Sequence, residues 1–109
     1  MNDARLGHLA GLLERAVVAL ALLAIAFRVV VYGRLPRPAG AAWGTGDVID
    51  YALALALFLL ALACAGSAVL LSARAGSDAT ARARAWRPAV IGMTAFVAYY
   101  LVHPYLPVL

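Results

Sequence analysis

The sequence predicts an all-α integral membrane protein with three transmembrane helices, at about 9–32, 48–72 and 88–102, forming one three-span domain over 1–109. Three observations carry this. Tyr51 to Ala73 is 23 consecutive residues without a charged side chain. As a helix that run reaches about 35 Å, against a hydrocarbon core of about 30 Å. The chain is 66% apolar and 13% charged, too much apolar surface for so short a chain to hide in water. Nine arginines and no lysine give a net charge of +4, but they flank the apolar runs and form no patch with interleaved aromatics. The charge therefore reads as membrane flanking, and no nucleic-acid partner is expected.

The first helix is charged at both ends, with Glu14 and Arg15 near its start and Arg28 near its end. The basic start, apolar core and Ala24-Ile25-Ala26 resemble a signal peptide, but Arg28 and further valines follow at once, so a retained helix is expected. Gly33 to Gly46 holds two prolines and four glycines and reads as a loop, with Trp43 as an interfacial anchor. Asp47 suits the N-cap of the second helix, and Asp50 adds negative charge where the helix dipole favours it. Between the second and third helices, Arg74, Arg82, Arg84 and Arg87 cluster around Gly76, Ser77 and Asp78. Ser77 or Asp78 is placed to cap a short interfacial helix there, and Trp86 is a second anchor. Pro88 suits the first turn of the third helix, and the His103-Pro104 step stops it. Tyr99 and Tyr100, near its far end, read as aromatic-belt anchors.

Three spans put Arg5, Arg15, Arg74, Arg82, Arg84 and Arg87 on one side and Arg28, Arg34 and Arg37 on the other. The positive-inside rule then makes the chain N-in and C-out. A bacterial inner (cytoplasmic) membrane is the expected location.

Helical spacing sets Gly7, Gly11, Glu14, Ala21, Ala24 and Arg28 on one face of the first helix, a small-residue seam with charged ends. Ala61, Ala65 and Ala68 form the matching seam on the second and are expected to receive the first. Hairpin depth pairs Arg28 with Asp50, and Glu14 with Arg74 or Arg87. The third helix shows no functional stripe.

No motif with its own chemistry is present, so no enzymatic activity is expected. Cys64 is the single cysteine, which excludes an intramolecular disulfide and a thiolate metal site. His8 and His103 fall on opposite sides and cannot sandwich one haem. The small three-helix anchors of succinate dehydrogenase carry a histidine within a span, where this chain has none. For His103, near Tyr99, Tyr100 and Tyr105, a quinone-edge site stands as the rival to a plain aromatic belt.

In length and in Glu14 on its first helix the chain resembles the small multidrug transporters. The resemblance implies a homo-oligomeric, proton-coupled transporter with Glu14 as the proton site. The adjacent Arg15 and the three spans depart from that pattern. A phage-holin-like pore former has similar length, but the tail Tyr105 to Leu109 lacks the usual charges. In size and span count the chain is similar to the small accessory subunits of terminal oxidases and other respiratory or photosynthetic complexes. The expected role is therefore a non-catalytic subunit of a larger membrane complex, in contact with membrane lipids. No cofactor of its own is expected, only contact with lipid, quinone or pigment held by partners.

Overall fold

The apolar runs fold as helices in the computed structural model, which describes residues 3–37 and 39–109. Helix α1 spans Asp3–Ala26 and continues through a π-helical stretch, Phe27–Val31, into a 3-10 turn at Tyr32–Arg34. Helix α2 spans Thr45–Ala75 and stops at Gly76. Helix α3, Ala79–Ala85, is short and leads through Trp86 into α4, Arg87–Val102, which closes with a 3-10 turn at His103–Tyr105.

Among the described residues, three helical stretches are long and apolar enough to cross a membrane: Ala4–Arg34, Thr45–Ala75 and Ala79–Tyr105. At about 1.5 Å per residue, α2 alone reaches roughly 46 Å, most of the molecule's 59 Å length. The first stretch begins earlier than the apolar pattern indicates, because the polar turns before Leu9 continue the same helix. The third is lengthened by α3, whose cap is Asp78: its carboxylate accepts from Thr80 N–H at 3.0 Å and Ala81 N–H at 3.2 Å.

The core is thin. Val17, Ala21 and Ala24 of α1, Leu57 and Cys64 of α2 and Tyr99 of α4 form the buried cluster. Ala61 and Ala68 are buried and Ala65 is half-buried.

One packing expectation needs correction, and one close approach was not expected. Gly7 and Gly11 are not close-packing positions, since a Cβ at either would meet nothing within 4 Å. The buried face of α1 in that region runs instead through Leu6, Ala10 and Val17. The close approach lies between α2 and α4, where a Cβ on Gly92 would stand 2.7 Å from Cys64 Cβ and 3.4 Å from Ala61 Cα. So Ala61 receives the third long helix, and Gly92 is what lets the two backbones come together.

The C-terminal tail folds back on the π-helical stretch. Leu109 N–H donates to the Val29 carbonyl at 2.9 Å, and a Cβ on Gly33 would stand 2.5 Å from Val108 Cγ1. This strap holds the end of the first stretch beside the end of the third.

Candidate functional site

Where the three long stretches meet at the tail end of the molecule, one cleft of about 610 Å³ gathers polar side chains from all three. The first stretch supplies Arg28 and Tyr32, α2 supplies Asp47, Asp50 and Tyr51, and α4 with its closing turn supplies Tyr99, Tyr100 and His103. Arg28 comes from the π-helical stretch, in which Tyr32 N–H bonds back to the Phe27 carbonyl. Such stretches recur at functional sites.

The contacts form a chain across the molecule. Tyr32 O–H donates to Asp47 Oδ1, while Gly44 N–H donates to Asp47 Oδ2 at 2.8 Å. Asp47 is thus not the N-cap: α2 begins two residues earlier, and the carboxylate reaches back to the Gly44 amide from its first turn. Gly46 permits the approach, because a Cβ there would stand 3.0 Å from the Tyr32 carbonyl oxygen. The Arg28 guanidinium lies 3.9 Å from the centre of the Tyr32 ring, a cation–π contact worth about 0.5–2 kcal/mol.

Arg28 Nη1 stands 3.8 Å from Asp50 Oδ2, and His103 Nε2 donates to the same oxygen at 2.8 Å. The His103 ring in turn faces Tyr99, with centroids 5.4 Å apart. Asp50 therefore ties the first stretch to the turn that ends the third, although 53 residues separate it from His103.

Tyr99 is corrected here. It is not an interfacial anchor but a core residue, 3% exposed, placed there because its ring fills the space between α1 and α2. Tyr100, Trp43 and Trp86 are exposed. Trp43 stands edge-on to Tyr51 at 5.8 Å and lines the cleft with it.

Three buried polar atoms at this site have no partner among the described residues: Arg28 Nε, Asp50 Oδ1 and Tyr99 Oη. A buried polar group left unpaired costs about 1–3 kcal/mol, so three together, on side chains lining one cleft, are unusual for purely structural packing.

The opposite end is simpler. Glu14 Oε2 stands 3.5 Å from Arg87 Nε, with Glu14 13% and Arg87 72% exposed. Of the two arginines considered for Glu14, Arg87 stands at ion-pair distance. Arg74 sits in the last turn of α2 and lines a shallow groove with Arg84 and Ala85. Gly7 and Gly11 lie with Glu14 along a second cleft of about 590 Å³. Cys64 is buried, and no group of three His, Cys, Asp or Glu among the described residues could hold a metal ion.

His103 as a partner of Asp50 was missed in the sequence, which offered it as part of an aromatic belt or as the edge of a quinone site. The available signal was hairpin depth, which pairs Arg28 with Asp50 and extends to any polar residue ending the third helix on that side. Compared with protein families, with curated proteins and with solved structures, the chain matches none.

Proposed function

We propose that this chain is a non-catalytic, three-span subunit that packs along the outside of a larger integral membrane assembly and stabilises or positions its neighbours. The observation that carries the reading is where the polar groups are spent. Asp47, Asp50 and Glu14 each face a donor or cation of the same chain. What the long helices turn outward is apolar: Leu22, Leu23, Leu59, Leu62, Val90 and Leu101 are all exposed. Only 17–28% of the most apolar window of each long stretch is buried within the chain. The remainder suits lipid and helices of other subunits. The arginine distribution supports an N-in, C-out orientation in a bacterial inner membrane.

A photo-crosslinking residue placed singly at Leu23, Leu59 and Val90 in the native membrane tests this. Adducts with larger proteins from at least one face are expected. Adducts only at roughly twice the 11.4 kDa chain mass would instead favour a homo-oligomer. That second reading has one observation behind it, the cleft beside Glu14, and requires proton-coupled transport that Glu14→Gln abolishes.

A further inference from the structure

We infer that the cleft beside Glu14 and the groove that adjoins it form a binding site for one anionic phospholipid, its phosphate among Arg15, Arg84 and Arg87 and an acyl chain between α1 and α4. The inference needs the chain to sit in a membrane; it holds whether the chain works alone or within an assembly.

Charge sets the head of the site. The cleft of about 590 Å³ is lined by Arg15 of α1, Arg84 of α3 and Arg87 of α4 against a single carboxylate among the described residues, Glu14. That carboxylate already stands 3.5 Å from Arg87. Arg15 and Arg84 are exposed and have no ion pair among the described residues, so the cleft keeps a surplus of positive charge. Basic pockets between membrane helices suit anionic headgroups, and guanidinium groups suit phosphate oxygens.

The groove sets the tail. Val18 and Ile91 line both the basic cleft and a hollow of about 440 Å³ between α1 and α4, so the two are continuous. Beyond them the walls are largely aliphatic, with Leu22 and Ile25 on one side and Val90 and Ala98 on the other. Leu22 and Val90 are exposed, so a chain can enter sideways from the bilayer. At about 1.5 Å per residue, Arg15 to Ile25 rises about 15 Å and Arg87 to Ala98 about 17 Å. Half of a hydrocarbon core about 30 Å thick has the same depth, the reach of one leaflet's acyl chain. A free phosphate leaves the groove empty and a neutral lipid leaves the arginines unmatched, whereas an anionic phospholipid fills both.

The test uses the full-length chain, with whatever co-purifies, in phosphatidylcholine nanodiscs doped with phosphatidylglycerol that carries a photoactivatable diazirine midway along one acyl chain. Saturable labelling at one lipid per chain is expected, with the adducts on 18–25 of α1 and 90–98 of α4. Excess unlabelled phosphatidylglycerol should suppress it about tenfold, whereas equal phosphatidylcholine or inorganic phosphate should not. Arg15→Gln combined with Arg84→Gln should weaken it about tenfold and leave the helical circular dichroism unchanged, because both side chains are exposed and stand outside the Glu14–Arg87 pair. Thr94→Phe, at an exposed position that lines the groove, should weaken it with every arginine in place. Equal labelling of the same peptides by a phosphatidylcholine probe, the result for an unselective lipid shell, overturns the proposal. So does labelling that the double arginine variant leaves unchanged, or groove peptides that stay unlabelled because a co-purifying protein covers them.

Discussion

Gly11 and Gly92 look alike in the sequence, each a glycine within a largely apolar helix, yet their surroundings differ completely. A Cβ at Gly11 meets open space, whereas at Gly92 it stands 2.7 Å from Cys64 Cβ. Gly92→Ala should therefore lower stability by about 1–3 kcal/mol through overpacking. Gly11→Ala should be neutral or raise it by roughly 0.5–1 kcal/mol, as expected when a helical glycine gains a methyl group. Reversible unfolding in mixed micelles measures both. Cys64→Ala should not rescue Gly92→Ala, because the obstructing atom is the β-carbon that alanine retains. The difference between these glycines was not legible in the sequence: the four-residue spacing of Gly7 and Gly11 imitates a packing motif, while the lone Gly92 has no spacing to read. Tyr99 escaped for a related reason, since an aromatic pair near a helix end looks the same whether its first ring faces lipid or the core. Arg28 and Asp50 were legible as neighbours because hairpin geometry fixes their depth. Asp50→Asn should cost about 1–3 kcal/mol in the same assay, as it removes the carboxylate charge that both Arg28 and His103 face.

At the scale of elements, the long apolar runs and the glycine- and proline-rich loop were readable from composition alone, because lipid-length helices need no tertiary detail to declare themselves. The ends were less readable. The second helix starts at Thr45 because the Asp47 carboxylate satisfies the Gly44 amide from inside the first turn, an arrangement that the N-cap reading places three residues too late. The cap of the short helix was legible to within a residue, as Ser77 or Asp78, and Asp78 takes it with both amide donors in reach. Asp78→Ala should cost α3 about 1 kcal/mol, seen as faster amide exchange at Thr80 and Ala81 with little change in α2. The π-helical stretch at Phe27–Val31 carries no sequence signature beyond Arg28 interrupting an apolar run. It is nonetheless where the first long stretch offers its guanidinium to Asp50 and its carbonyl at Val29 to the C-terminal strap.

For the molecule as a whole, the proposed account is of three helices joined by polar contacts near their ends and turned outward along their apolar faces. Orientation is testable with single cysteines. In a Cys64→Ala background, a cysteine at Ala42 should react with a membrane-impermeant maleimide from outside the cell, and one at Ser77 only after the membrane is opened. The reverse pattern would invert the topology and move the arginine-rich α2–α4 connection to the exterior. The most direct measurement of the central claim is the mass of the tagged, full-length chain extracted from its native membrane in a mild detergent. The account predicts a stable assembly containing larger membrane proteins, still formed when Glu14→Gln is introduced. A chain that emerges alone, or only with copies of itself, would contradict it.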